Sequence, residues 1–154
     1  MSFDFVVNPV DWDDADAVAL RAAQRVELDA LYGTPDSEPG PAPTRSDVAV
    51  FLLARSAETG ELVGCGGLRM IDGTAAEIKR MFVLAAWRGT GASTAILRAL
   101  EADAARRGCT HLRLETGDLQ VAAVRFYERE GYTRIPLYGY YIGSDLSICY
   151  EKAL

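Results

Sequence analysis

The sequence is poor in the residues that build metal and disulfide sites. It has one histidine, His111, and three cysteines, Cys65, Cys109 and Cys149, which lie far apart. No Cys-x-x-Cys pair occurs, so a structural zinc site is not expected. An odd number of scattered thiols is typical of a reducing compartment. We therefore predict a cytoplasmic protein that uses no metal.

Long apolar runs and an excess of positive charge are also missing. No run of about eighteen apolar residues occurs, and the N-terminus lacks a basic start and a long apolar core, so neither a membrane span nor a signal peptide is expected. The net charge of −6 argues against nucleic acid, which needs a basic face. It is compatible with a cationic amine substrate, although solubility alone would account for the same charge.

Hydrophobic periodicity and turn residues divide the 154 residues into short strands and three helices. The predicted strands are 3–8, 48–55, 61–71, 75–84, 110–116, 132–135 and 147–152. The predicted helices are 11–32, 90–107 and one that opens at Gly117 or Asp118 and closes at Gly131. Hairpins followed by a strand–helix–strand crossover indicate an α+β fold, a mixed sheet covered by helices, in one domain over residues 1–154.

The chain before residue 50 gives two further predictions. The first helix is predicted to bury a stripe of Val18, Ala22, Val26 and Leu28 or Leu31. The segment 33–46 contains four prolines and is predicted to be a mobile loop.

The most informative segment is residues 75–100, which read as a strand, a turn and an apolar-striped helix. The turn contains Arg88, Gly89 and Gly91. Glycines allow the backbone to approach an anion with its N–H groups pointing inward, and the first turn of the helix adds unpaired donors and the positive end of the dipole. This combination predicts a diphosphate site.

Two common phosphate-binding patterns fit this turn poorly. A P-loop needs a lysine after its last glycine, and none follows Gly91. A Rossmann turn needs a third glycine where Thr94 stands, although Glu115 lies roughly where a ribose-binding acid would be. A nucleotide triphosphatase is therefore disfavoured, and a nucleotide-dependent oxidoreductase stays open as a weaker alternative.

A third pattern, Arg/Gln-x-x-Gly-x-Gly/Ala with an upstream valine, fits better. Arg88-Gly-Thr-Gly-Ala-Ser93, with Val83 five residues before Arg88, resembles the acetyl-CoA-binding motif of the GNAT superfamily of N-acetyltransferases. Three further segments resemble the family's neighbouring elements in the right order, namely 61–69, 112–116 and 120–132. The resemblance covers about residues 48–154. Ser93, Ala85 or Ala86, and Gln120 depart from the usual glycine or alanine, proline and asparagine.

The resemblance implies a GNAT-like, mostly antiparallel central sheet flanked by helices. Its cofactor strand and the next strand would splay apart, so that the pantetheine arm fills the gap. It also implies acetyl-CoA as acyl donor and direct transfer of the acetyl group to a primary amine of a small molecule or peptide. The residues that would bind the coenzyme are Met81, Phe82, Val83, Arg88, Gly89, Thr90, Gly91, Ala92, Ser93, Thr94 and Gln120.

Tyr127 is the candidate general acid within this resemblance. A phenol with a pKa of about 10 can protonate a thiolate whose acid has a pKa of about 8.5 as the C–S bond breaks. Gln120 and Tyr127 are seven residues apart, almost two helical turns, so both are expected on one helix face. The backbone N–H of Val83 would face the thioester oxygen.

Glu77 is the candidate general base. It precedes Val83 by six residues on the cofactor strand, so the two side chains are expected on the same face. Glu115 is the second candidate, and His111 is expected to be surface or structural. An aromatic segment and the Pro-rich loop are expected to border the acceptor pocket, through Tyr138, Tyr140 and Tyr141.

A rival hypothesis from another class stays open. The same scaffold would serve a non-catalytic acyl-CoA-binding sensor, because Ser93 departs from the motif and the base is not fixed. Pairing into a homodimer is a further open alternative, since sheets of this kind often pair through their last strands.

Overall fold

The computed structural model describes residues 2–35 and 37–154, so Met1 and Asp36 lie outside it. This part of the chain forms one sheet with helices on both faces. The strands are β1 (Phe5–Val10), β2 (Val48–Ser56), β3 (Leu62–Met70), β4 (Ala75–Val83), β5 (His111–Gly117), β6 (Thr133–Ile135) and β7 (Ser147–Ala153). The helices are α1 (Ala15–Tyr32), α2 (Ala92–Arg106) and α3 (Val121–Arg129), with short 3₁₀ turns at Ala85–Trp87 and Gly139–Tyr141.

The seven strands of the described residues lie in the order β1-β2-β3-β4-β5-β7-β6. All neighbours are antiparallel except β4 and β5, which the α2 crossover joins in parallel. The last strand, β7, is inserted between β5 and β6. The mixed, mostly antiparallel α+β sheet is confirmed, as is the pairing of the final two strands.

The larger part of the core lies between the sheet and α2. Ile96, Leu97 and Leu100 are fully buried against Val63, Leu68 and their neighbours, as the apolar stripe of this helix predicts. Each such side chain contributes about 1.5–3 kcal/mol through burial. The α2 helix thus covers one face of the sheet directly behind β4.

The predicted buried stripe of α1 is wrong. Val18 and Val26 are 46% and 70% exposed, whereas Ala17 and Leu20 are buried. The helix starts one turn later than expected, with Asp14 accepting the N–H groups of Asp16 and Ala17. Its inner face also carries polar residues, Arg21 and Gln24, which donate hydrogen bonds to backbone carbonyls outside the helix. The hydrophobic periodicity of the sequence does not identify such positions.

Two of these inward polar residues define how α1 sits on the sheet. The guanidinium of Arg21 stacks on the Trp12 ring, 3.6 Å from its centroid, and donates to the Trp12 carbonyl at 2.6 Å. Gln24 donates its amide to the Met81 carbonyl at 3.0 Å. The second contact ties the middle of α1 to β4.

The expected splay between β4 and β5 is present. The two strands pair only where residues 75–77 face residues 111–113, and then they separate. A bulge in β4 accompanies the separation, because Gly67 pairs with Lys79 whereas Cys65 pairs with Phe82. Two residues of β4 therefore stand opposite one of β3, which bends the strand and increases its twist.

The segment between α1 and β2 contains no helix or strand among its described residues, as the prolines predict. Within residues 2–35 and 37–154, no helix has the length and apolar character needed to cross a membrane.

Candidate functional site

A cleft opens where β4 and β5 separate. Its outer part, here called the outer groove, has a volume of about 620 Å³. Its inner part, here called the inner cavity, has a volume of about 110 Å³. The two parts share a junction lined by Leu28, Met81, Gln120, Ala123 and Tyr127. The outer groove is in the size range of sites for drug-sized ligands and cofactors.

The glycine turn lies on the outer groove. Gly89 and Gly91 have φ angles of 76° and 93°, the left-handed region that glycine adopts at little cost. A Cβ atom on either would meet nothing within 4 Å, so the requirement for glycine is conformational and not steric. Gly91 directly precedes α2, whose first N–H groups have no partner within the helix. The turn and the helix end together present donors to an anion.

Most of the residues predicted to bind the coenzyme line the outer groove. They are Met81, Phe82, Val83, Arg88, Gly89, Gly91, Ser93, Thr94 and Gln120. Thr90 and Ala92 are not among its lining residues. The Thr90 hydroxyl donates to the Trp87 carbonyl, and the Ala92 side chain is buried in the core, so only their backbone is directed to the turn.

Arg88 is already paired across the mouth of the outer groove. Its guanidinium donates to both carboxylate oxygens of Glu27 at 2.9 and 2.8 Å, and its Nε donates to the Val83 carbonyl at 3.0 Å. Both partners of the ion pair are about half-exposed, and such pairs contribute only about 0–1 kcal/mol. A diphosphate can therefore replace or share this partner at little cost.

Tyr127 lies at the junction. It is 8% exposed, and its hydroxyl donates to the thioether sulfur of Met81 at 3.4 Å. Burial raises the pKa of this phenol above its usual value. The hydroxyl is thus held in its protonated form at neutral pH and directed at the sulfur of Met81 in β4.

The inner cavity is lined by charged side chains. Glu115 accepts a hydrogen bond from the Ser147 hydroxyl at 2.6 Å, and burial raises the pKa of its carboxyl group. Lys79 and Arg80 each donate to a different carboxylate oxygen of Glu38, which comes from the Pro-rich loop. Anionic and cationic groups therefore face one small space next to the junction.

The expected geometry of Glu77 is wrong. The bulge at Arg80 and Met81 shifts the alternation of β4, so Val83 packs on the α2 side while Glu77 points to the opposite side. Its carboxylate accepts from Arg69 at 2.8 Å and from the Tyr138 hydroxyl, and it is 2% exposed. Glu77 lines neither the outer groove nor the inner cavity. These contacts favour a structural role, and its role as base stays a prediction.

The three tyrosines of the aromatic segment lie behind the cavity wall. Tyr138 contacts Glu77, Tyr141 accepts from Lys79 at 3.0 Å, and Tyr140 is 67% exposed. None of them lines the inner cavity. His111 shares a hydrogen bond with the Thr110 hydroxyl at 2.9 Å at the start of β5 and is also absent from both linings.

Sequence reasoning missed several residues of the cleft. Glu27 and Gln24 belong to α1, where the misplaced apolar stripe hid the inner face. Glu38 is an isolated acid in a loop and gives no signal in the sequence. Lys79 and Arg80 could have been noticed, because two consecutive cations in a core strand next to the coenzyme segment are unusual.

Over residues 2–35 and 37–154, no group of three or more His, Cys, Asp or Glu side chains is arranged to hold a metal ion. That the protein works without a metal stays a prediction.

Comparisons with known proteins agree with this geometry. A family model described as "Acetyltransferase (GNAT) family" matches residues 18–132. A curated protein named IAA acetyltransferase, from Azospirillum brasilense, is 35% identical over 105 residues, which are 68% of this chain and 67% of that protein.

Solved structures match over nearly the whole chain. A Klebsiella pneumoniae protein assigned as an acyl-CoA N-acyltransferase superposes with a TM-score of 0.80 at 36% identity, over 97% of each chain. A GNAT family acetyltransferase from Elizabethkingia anophelis with acetyl-CoA bound has the same fold, with a TM-score of 0.71 at 17% identity, over 97% of this chain and 98% of the other.

Proposed function

Because the chain belongs to the acetyltransferase (GNAT) family, we propose that it transfers the acetyl group of acetyl-CoA directly to a primary amine of a small molecule or peptide. The single observation that carries this proposal is the junction. A groove with an anion-binding turn meets a charged inner cavity at the hydroxyl of Tyr127. Donor and acceptor can enter from opposite sides and meet at one buried proton donor.

The outer groove would bind the coenzyme. Arg88 and the N–H groups of the glycine turn would bind its diphosphate, since a guanidinium can give a phosphate two hydrogen bonds. The backbone of residues 81–83 would contact the pantetheine arm, whose sulfur would then lie near the junction. The Val83 N–H is the proposed donor to the thioester oxygen as negative charge develops on it.

Direct transfer then requires two proton movements. The amine nitrogen forms a bond to the carbonyl carbon, and the intermediate collapses with cleavage of the C–S bond. Glu115 accepts the proton that the nitrogen loses, and Tyr127 gives a proton to the departing sulfur. Exchange with solvent returns both groups to their starting states, so the net products are an N-acetyl compound and the free thiol.

We propose Glu115 as the base ahead of Glu77, because only Glu115 lines the inner cavity. Its carboxyl group has a raised pKa, and Ser147 holds one oxygen in place. A carboxylate with a raised pKa is a stronger base at neutral pH than an ordinary glutamate.

The first experiment tests coenzyme binding. Acetyl-CoA should raise the melting temperature, and Arg88→Ala combined with Gly91→Asp should abolish that rise. Arg106→Ala is the matched control, since Arg106 is a 69% exposed arginine at the far end of α2 that pairs with Asp103. An unchanged melting curve at millimolar acetyl-CoA would refute the proposal.

The second experiment tests transfer. Thiol release from acetyl-CoA should depend on an amine in a panel of amino acids, polyamines, alkyl amines, aminoglycosides and short peptides. Tyr127→Phe should lose this release while keeping the thermal shift. Binding without release for every amine would instead support the sensor hypothesis.

We also propose that residues 1–154 act as one domain. Strands from both halves of the chain share one sheet, with β1 at one edge and β7 next to the other edge. A single cooperative unfolding transition by calorimetry is the expected result.

A further inference from the structure

We propose that the inner cavity selects acceptors that carry a carboxylate as well as an amine, with Lys79 and Arg80 binding that carboxylate where they hold the carboxylate of Glu38 in this structure. The acceptor class is then a small amino acid and not an alkyl amine or a polyamine. The inference rests on the proposed function and specifies the chemistry of its acceptor.

The two cations are buried and face a common partner. The side chains of Lys79 and Arg80 are only 5% and 12% exposed, and each contacts one oxygen of the Glu38 carboxylate. Lys79 additionally donates to the Tyr141 hydroxyl at 3.0 Å. Buried charges need partners of opposite charge, so this wall of the cavity requires a carboxylate.

The backbone is distorted to create this arrangement. Neighbouring residues of a strand normally point to opposite faces, so Lys79 and Arg80 should not reach the same group. Arg80 adopts a φ of 55°, and among the described residues it is the one non-glycine residue with positive φ. Non-glycine residues rarely adopt this conformation, and such outliers concentrate at functional sites. The bulge directs the side chains of Lys79 and Arg80 to the same carboxylate, so that each can bind one of its two oxygens.

Glu38 fills this site from a segment without regular structure. It is separated from Lys79 and Arg80 by about forty residues of chain, and its loop lies outside every helix and strand. Burial would raise the pKa of Glu38, but Lys79 and Arg80 outweigh that effect and lower it, so the group is an ionised carboxylate. The carboxylate of an acceptor offers the same charge and the same two oxygens, and can therefore take its place.

The amine of such an acceptor would face the reacting groups. Glu115 lines the same cavity, and Tyr127 closes it at the junction. The cavity, with a volume of about 110 Å³, is lined both by the two cations and by the junction residues Met81 and Tyr127. A polyamine would instead bring further positive charge against two buried cations, which is unfavourable.

The test compares matched pairs that differ only in the carboxylate. Alanine and ethylamine, serine and ethanolamine, and lysine and 1,5-diaminopentane would be titrated by calorimetry into the protein saturated with coenzyme A. The amino acid of each pair should bind about 10- to 100-fold more tightly, as expected for charge-assisted hydrogen bonds. Amino acid methyl esters should lose most of this advantage.

Two variants and one control test whether the preference for amino acids depends on the proposed carboxylate site. Arg80→Gln should reduce the preference within each pair by about tenfold or more. Glu38→Gln removes the competing charge and should tighten binding of the amino acids, an outcome that does not depend on Arg80→Gln folding. Glu58→Gln is the control, since Glu58 is an exposed glutamate in the β2–β3 turn and should change nothing.

Equal binding of both members, tighter binding of the decarboxylated members, or binding of no member would each overturn the inference. Thiol release measured with the same panel distinguishes failure of the carboxylate-site inference from failure of the proposed acetyl transfer. Release with decarboxylated amines and no preference for amino acids would leave the acetyltransferase activity in place and remove only the carboxylate site. Coenzyme binding without release for any amine would remove the proposed transfer itself.

Discussion

The two ends of the cleft are built in different ways. At the proposed coenzyme end, the anion-binding part comes from one continuous stretch, residues 81–94, which supplies backbone groups, two left-handed glycines and a half-exposed arginine, and residues of α1 and α3 complete the groove. The proposed acceptor end is assembled from distant parts of the chain, among them Glu38, Lys79, Arg80 and Glu115, whose side chains are buried or half-buried. The glycine turn of the first end is a local motif, whereas the second end exists only after folding.

This difference predicts different kinds of sensitivity. Changes at the coenzyme end should alter binding of acetyl-CoA and leave the chemical step largely intact. Changes at the acceptor end and the junction should alter turnover or acceptor choice and leave coenzyme affinity largely intact. If any of the following predictions failed, this division of sensitivity between the two ends would not hold.

The largest effect is expected for Tyr127→Phe. The variant keeps the ring packed against Phe126 and Tyr132 and removes only the hydroxyl, which is the proposed proton donor. We expect kcat to fall by about 100- to 10,000-fold, with the Kd of acetyl-CoA nearly unchanged. Steady-state kinetics and calorimetry measure the two values. Tyr140→Phe, at an exposed tyrosine, is the control, and a Tyr127→Phe enzyme within a few-fold of wild type would remove the acid role.

Glu115→Gln should lower kcat by about 100-fold and change the pH profile. A general base acts when deprotonated, so wild-type activity should fall as the pH drops through the pKa of Glu115, which burial raises. The glutamine variant should lack this acidic limb. If Glu77→Gln removes the limb and Glu115→Gln retains it, Glu77 is the base, as the sequence first suggested.

Gly91→Ala should weaken coenzyme binding by about tenfold, because an alanine at positive φ costs about 1–2 kcal/mol and pulls the turn out of shape. The Kd of acetyl-CoA by calorimetry and the unfolding free energy measure the two consequences. Gly73→Ala is the matched control, since Gly73 also has open space around its Cβ position and lacks a positive φ. A kcat loss without a change in Kd would contradict the division between the two ends.

The smallest effect is expected for Glu27→Gln, and it has the opposite sign. Glu27 competes with the diphosphate for the guanidinium of Arg88, so the variant should bind acetyl-CoA about 2- to 5-fold more tightly. The gain should shrink at high salt, because the competing pair is exposed and screened. Weaker binding in Glu27→Gln would mean that Glu27 positions Arg88 for the ligand.

The parts that could be predicted from the sequence are those set by neighbouring residues. The stripe of α2 is read correctly because Ile96, Leu97 and Leu100 recur with the helical period and are all buried. The glycine turn is read correctly because its backbone conformation belongs to the residues themselves. The order of the hairpins and the crossover follows in the same way.

The errors have a common physical cause in tertiary contacts. The face of α1 was misplaced because Arg21 and Gln24 are half-buried on the inner face, where they donate to the carbonyls of Trp12 and Met81. The orientation of Glu77 was misplaced because one bulge shifts the alternation of β4. Both events depend on how elements meet, so the periodicity of a single segment cannot contain them.

The amino-acid sequence by itself determined the strand, the glycine turn and the helix that form the proposed anion site, since short-range sterics and hydrogen bonding decide these. Only the tertiary structure decided which acids line the inner cavity and which charges surround them. Those relations join Glu38, Lys79 and Glu115 across the fold, where burial makes each charge depend on partners far away in the chain.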